Sequence, residues 1–182
     1  MRSNVGSTPL NIAAYNGHTD VVKLLLEKGA NIKAMSSDTR ATPLYCASHR
    51  GHVGMVRLLL EKGTNAEATT SDNGRAALHG TALYRQTAIV QLLLEKGANI
   101  HGTANQAETA LYSVFINPII NPNLMDRQQL IPTITVLLAY GENILLKDDS
   151  SKTPLDVAED GGHFEARKLF LMKCNLKLLQ EA

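Results

Sequence analysis

Six histidines, two cysteines and the pair Asp148-Asp149 are the residues here whose types could carry acid–base, nucleophilic or metal chemistry. Each chemistry makes a demand on spacing. A general base must reach a nucleophile or a second carboxylate, and a metal centre needs several ligands converging on one point. The histidines meet neither demand. His18, His52 and His163 each follow a glycine, the first two 34 residues apart, which assigns them to a repeated structural position. His79 follows Leu78, His49 stands beside Arg50, and His101 is alone. No metal-ligand spacing, phosphate-cradling glycine loop or nucleophile elbow occurs. Asp148-Asp149 lacks further ligands and reads as solvated loop charge. Cys46 and Cys174 are too far apart for a metal pair and read as reduced thiols. The chain is therefore expected to have no catalytic residues, no cofactor and no metal.

Charge and hydropathy narrow the partners further. A net charge of +1 over 182 residues offers no basic field for nucleic acid. No stretch approaches the roughly 18 apolar residues of a membrane span, and Met1-Arg2-Ser3-Asn4-Val5 begins no signal peptide. The expectation is an intracellular protein, cytoplasmic or nuclear, with neither nucleic-acid nor membrane contacts.

The elements that must position these residues are set by a period. Thr8-Pro9-Leu10 returns as Thr42-Pro43-Leu44, in altered form as Ala76-Ala77-Leu78 and Thr109-Ala110-Leu111, and intact as Thr153-Pro154-Leu155. The offsets are 34, 34, 33 and 44 residues. Each copy leads to an apolar run: Leu24-Leu25-Leu26, Leu58-Leu59-Leu60, Leu92-Leu93-Leu94, Val136-Leu137-Leu138 and Leu169-Phe170-Leu171. Such a period means a stacked array of small units.

Within the first copy, Thr8 is an N-cap and Pro9 suits the first helical position. Leu10, Ala13 and Ala14 allow close approach of a neighbour, and Gly17 ends the helix. After His18 and Thr19 a second helix carries Val21, Val22 and Leu24 to Leu26, apolar on nearly all sides as if buried between two neighbours. Gly29 ends it, and Asn31 to Asp38 returns the chain to the next unit.

Gly6 to Ala30 resembles the ankyrin repeat, matching the pattern G-x-T-P-L-x-x-A-A-x-x-G-H followed by V-x-x-L-L-x-x-G-A almost fully. Residues 40 to 66 match nearly as well, and five copies cover about residues 2 to 173. The resemblance implies an all-α solenoid of helix pairs with short hairpin-like finger loops, one ankyrin repeat domain over 1–182. Its units are expected at about 2–35, 36–69, 70–103, 104–147 and 148–173. A capping helix is expected to run to 182, where Arg167, Lys168, Lys173, Lys177 and Gln180 interleave with Leu169, Leu176 and Leu179. The first unit looks like an internal repeat. His79 falls where the family often carries a histidine for local hydrogen bonding.

Two copies depart from the pattern. The third has Ala76-Ala77 for the Thr-Pro cap and Arg85-Gln86 for Gly-His. The fourth gains about 11 residues between Leu111 and Val136, placed at 117–128. Two Asn-Pro steps there, Asn117-Pro118 and Asn121-Pro122, disfavour helix and read as an irregular loop. Pro132 is expected near the start of the second helix. Ile119 and Ile120 make the insertion either a binding loop or a tolerated surface change.

The family binds proteins on its concave side, so the resemblance implies a non-catalytic module for a protein partner of unknown identity. Carried across in register, the contact positions are Ser7, Tyr15 and Asn16; Ala41, His49 and Arg50; Arg75, Leu83 and Tyr84; and Glu108, Ile116 and Asn117. Tyr15, Arg50 and Tyr84 stand out, because aromatic and arginine side chains dominate binding hot spots. Leu83 beside Tyr84 suggests an apolar anchor on the partner. Mixed finger charges (Lys33, Asp38, Glu67, Asp72, Glu108) argue against a uniformly acidic or basic target. The alternatives are a structural spacer within a larger multidomain protein and, less supported, an enzyme with a site near the irregularity of units three and four. A monomer is expected, with end-to-end pairing through the first repeat as the other possibility.

Overall fold

The computed structural model describes residues 6–116 and 124–180, with side chains over 6–116 and 128–173. These residues form ten α-helices, a short 3-10 turn at Asn105–Ala107 and no strand. Helices α1 (Pro9–Asn16) and α2 (Thr19–Glu27) make the first pair, α3 (Pro43–Arg50) and α4 (Val53–Glu61) the second, α5 (Ala77–Leu83) and α6 (Thr87–Glu95) the third. Then follow α7 (Ala110–Ser113) with α8 (Leu124–Ala139), and α9 (Pro154–Asp160) with α10 (Phe164–Gln180). The odd helices stack in one row, α1 on α3, α3 on α5, α5 on α7 and α7 on α9. Behind them α4 meets α6, α6 meets α8, and α8 meets α10.

The helix starts follow from the caps. Thr8, Thr42 and Thr153 each accept, through Oγ1, from the backbone amide three residues on, at 3.1–3.2 Å. Asp156 completes a capping box by accepting from the Thr153 amide at 2.7 Å, satisfying two otherwise unpaired donors. Ala76 offers α5 no such bond, and Thr109 offers none to α7. Gly17 ends α1 at φ +75°, and a Cβ there would meet the His52 ring at 2.8 Å. Position 17 is therefore restricted twice, by backbone and by neighbour. Its counterpart Arg85 takes φ +52°, a conformation resisted by side chains, and its Nε donates to the Val114 carbonyl at 3.3 Å.

The core is a continuous ladder of small and aliphatic residues: Leu10, Ala14 and Val22, then Leu44, Ala47, Val56 and Leu59, then Leu78, Ala82, Val90 and Leu93. It continues through Leu111, Ile134 and Leu137 to Ala158, Ala166 and Phe170. The expectation that α2 is buried on nearly all sides fails. Val21 is exposed, and Leu24 is 54 % exposed. Its counterpart Leu58 is half-buried and Leu92 is buried. The cause is what lies alongside. α6 packs on α8, whose 16 residues exceed the nine of α2, α4 and α6. Thr87 Oγ1 donates to Gln129 Oε1 at 2.9 Å and lies 2.7 Å from Thr133 Oγ1, locking α6 to α8.

Pro132 also differs from expectation. It lies inside α8, which begins at Leu124, within the 117–128 insertion and just after residues 117–123, the part read as an irregular loop. The proline ring leaves the carbonyl four residues earlier without its helical donor, yet the helix continues through Thr135, whose Oγ1 donates to the Ile131 carbonyl at 2.8 Å. Asn117, Ile119 and Ile120 fall outside the described residues. So do the side chains of Leu176, Lys177, Leu179 and Gln180, assigned above to the cap.

The fingers are turns rather than paired strands. Each is closed by backbone bonds, the widest from Ser36 to Ala41, Thr70 to Arg75, Ala104 to Glu108 and Asp148 to Lys152, at 2.8–3.1 Å. Each also makes one backbone–backbone bond to its predecessor: Ser37 N–H to Gly6 O, Ser71 to Thr39, Asn105 to Asn73 and Asp149 to Gln106, at 2.8–3.1 Å. Each turn takes up left-handed backbone, at Arg40 (φ +55°), Gly74 (+66°), Gln106 and Ala107 (+64° and +55°) and Ser151 (+63°). Only Gly74 adopts it without cost. Ala107→Gly is therefore expected to stabilise the chain by about 0.5–1 kcal/mol. Gly74→Ala is expected to destabilise it by more, because its Cβ would sit 2.6 Å from Asn105 Oδ1. Paired thermal melts check both signs.

Candidate functional site

The last turns of three successive first helices bring their polar and aromatic side chains to one place. Tyr15 closes α1, His49 and Arg50 close α3, and Tyr84 follows α5. His49 is the centre. The Tyr15 ring is stacked at 6.3 Å between centroids, the Tyr45 ring is stacked at 6.1 Å, and Tyr84 meets it edge-on at 4.6 Å. The Arg50 guanidinium lies over Tyr15 at 4.9 Å from the centroid, within cation–π range. Tyr15 is 40 % exposed and Arg50 is exposed, while Tyr45, His49 and Tyr84 are half-buried.

The rigidity of this face comes from a hand-over between units. His52 Nε2–H donates to the Tyr15 carbonyl at 3.0 Å. In the next unit Gln86 replaces the histidine, and its Nε2 donates to the His49 carbonyl at 3.3 Å. The Gly-His histidine thus clamps the carbonyl of the residue that displays the ring. A glutamine does the same work where the pattern breaks.

A second repeated bond ties helices to fingers. Asn11 Nδ2 donates to the Ala41 carbonyl at 2.8 Å, and His79 Nε2–H to the Gly102 carbonyl at 3.0 Å. The Tyr112 hydroxyl bonds the Leu146 carbonyl at 2.7 Å and also meets the Lys152 carbonyl. Tyr45 occupies the equivalent position, and its ring is stacked on that of His49. It was missed at the sequence level, although its spacing of four residues from His49 puts both on one helix face.

The other residues named from the sequence are dispersed. Asn16 is exposed and donates from Nδ2 to its own helix, at the Ile12 carbonyl, 2.9 Å away. Leu83 is half-buried beside Tyr84, and Ile116 and Ser7 are half-buried too. Ala41 is buried and presents no side chain to a partner, because the finger turn folds it inward. Arg75 is already engaged: it pairs with Glu108 at 3.0 Å, both side chains about 15 % exposed, tying the second finger to the third. Neither is a free contact. Asn117 lies outside the described residues.

The titratable groups show shifts of structural origin. Burial pushes the Cys46 thiol up to about 12, which leaves it a poor nucleophile. Burial pushes His79 down to about 4, against the opposing pull of its bonds to the finger backbone. Glu142, where the other units carry Ala30, Thr64 and Ala98, is pushed up to about 7 by burial. Among the described residues no three His, Cys, Asp or Glu side chains gather as for a metal ion. No described helix is long and apolar enough to cross a membrane.

Compared with known proteins, residues 5–37 match the family model of the ankyrin repeat, and residues 33–104 match the model of three ankyrin repeat copies. No curated protein matches the chain.

Proposed function

The chain belongs to the ankyrin repeat family, whose members generally mediate protein–protein contacts, and on that premise we propose that it is a non-catalytic module binding a partner protein across its first-helix row. The observation that carries the reading is the ring cluster around His49. Three successive units contribute to it, and side-chain clamps hold two of its display positions before any partner arrives. A pre-built surface loses little ordering entropy on binding. Aromatic and arginine side chains supply large contact area with directed donors.

The test is affinity capture from source lysate, followed by binding measurement on whatever is captured. Tyr15→Ala with Tyr84→Ala is expected to weaken binding at least tenfold, the loss of one or two hot spots, with a melting temperature within a few degrees of wild type. Equal capture by the double variant would move the interface away from this face. A double variant that unfolds would make the rings core residues and remove the argument for display.

A further inference from the structure

The cluster has a polarity that its rings alone do not explain. Helices α1, α3 and α5 contain no aspartate or glutamate, while the last turn of α3 carries His49 and Arg50. Three other cations are paired: Arg75 with Glu108 between units at 3.0 Å, and within the last unit Lys152 with Asp160 at 2.6 Å and Arg167 with Glu159 at 2.6 Å. Arg50 has no ion-pair partner among the described residues, and its plane is held against the Tyr15 ring. Finger carboxylates leading into the second and third units are already occupied by their own turns. Asp38 accepts from the Thr39 amide at 2.8 Å, and Asp72 from the Asn73 amide at 2.9 Å.

A guanidinium stacked on a ring keeps its N–H edges available while its orientation is restrained. That geometry suits a planar, bidentate carboxylate. Tyr15, Tyr45 and Tyr84 meanwhile converge on His49 and leave partly exposed ring surface beside that charge.

We propose that this face takes an extended protein segment bearing an aspartate or glutamate next to an apolar anchor, the carboxylate on Arg50 and the anchor against Tyr15 and Tyr84. The inference rests on the protein-binding reading above and specifies its chemistry. The mixed charge of the fingers is compatible with it, since only the local field at Arg50 selects the acid. Single-stranded nucleic acid would also stack on rings, but it needs a row of cations along its backbone. Here α1 and α3 supply a single arginine.

The experiment is selection of random twelve-residue peptides displayed on phage against the full chain, followed by fluorescence anisotropy with the best peptide. Selected peptides are expected to share Asp or Glu within three residues of Leu, Ile or Phe. Replacing that acid by its amide, or making Arg50→Gln, should each weaken binding about tenfold, the worth of one charge-assisted contact. The two changes together should cost little more than either alone. Arg50→Glu should reverse the selection toward Lys or Arg, and Arg50→Gln serves as the readout should the charge reversal fail to fold.

Peptides with no acidic bias that still lose binding in Tyr84→Ala would overturn the carboxylate assignment and leave the binding face standing. Peptides indifferent to both Arg50 and Tyr84 would overturn both readings. Selection of no peptide, or tight binding of an oligothymidine probe instead, would overturn the peptide assignment.

Discussion

Glu142→Ala is expected to raise the melting temperature by roughly 5–10 °C at pH 8 and to leave it nearly unchanged at pH 4. The residue follows Gly141, the turn that ends α8, and is only 6 % exposed. Its Oε1 accepts the Asn143 amide at 3.2 Å, and that bond and the Thr109 hydroxyl only partly offset the cost of burial. Burial therefore raises the carboxyl from 4.5 to about 7. Below pH 4.5 folded and unfolded chains both hold the proton, and the group costs nothing by this route. Between 4.5 and 7 the unfolded chain ionises first, so stability falls as pH rises. Above 7 the deficit is constant at about 3 kcal/mol. Melts of both proteins across this range check it, and equal gains at pH 4 and pH 8 would show that ionisation is not the cause.

His79 runs the opposite way, which makes the variant more informative. Its imidazole is pushed down from 6.5 to about 4, so its contribution is fully present above pH 6.5 and is lost as pH falls through that window. Between pH 4.5 and 6.5 the two slopes oppose each other. Wild type should show little change there from this pair. Removal of Glu142 should expose a decline toward acid that His79 alone produces.

Tyr112→Phe is the second large effect, expected to cost about 1–2 kcal/mol, chiefly through the Leu146 carbonyl that loses its donor, while the Asp148 amide and the Lys152 carbonyl still bond each other. The ring lies fully buried on α7, and its hydroxyl meets the Leu146 and Lys152 carbonyls and accepts the Asp148 amide at 3.0 Å. Those three residues span the finger between α8 and α9. Amide hydrogen exchange should accelerate across residues 143–152 and stay unchanged in α1 to α4. Uniform acceleration along the chain would mean that Tyr112 supports the whole array rather than one finger.

What the sequence displays is what repeats. Thr8, Thr42 and Thr153 cap helices where the Thr-Pro signal stands, because an N-cap acts within a few residues of itself. The Gly-His signal likewise marks helix ends, and His52 shows its structural use. Features that depend on contacts between units are less visible. The pairing of Arg75 with Glu108 joins residues 33 apart, and side-chain rotamers rather than local pattern decide it. The same limit hid Tyr45, whose position elsewhere in the array reaches a finger. Helix α8 begins at Leu124 despite the Asn-Pro steps just before it, since the proline rule constrains the preceding residue and not those that follow. The exposure of Leu24 against the burial of Leu92 reflects which neighbour lies alongside, although both sit in near-identical runs.

The hand-over from His52 to the Tyr15 carbonyl, and from Gln86 to the His49 carbonyl, makes the first junctions interchangeable. In this hand-over each junction asks its predecessor for a main-chain oxygen, which any side chain at that position leaves in place. A tandem duplication of residues 40–73 would therefore supply a new unit with a donor for the old one and an acceptor for the next. The array can lengthen there while the displayed side chains diverge freely. The junction between α6 and α8 has no such licence. Thr87, Gln129 and Thr133 recognise one another by side chain, so a transplanted unit would arrive without its counterpart. Growth by copying belongs to the front of this protein, and its rear half is a fixed fitting.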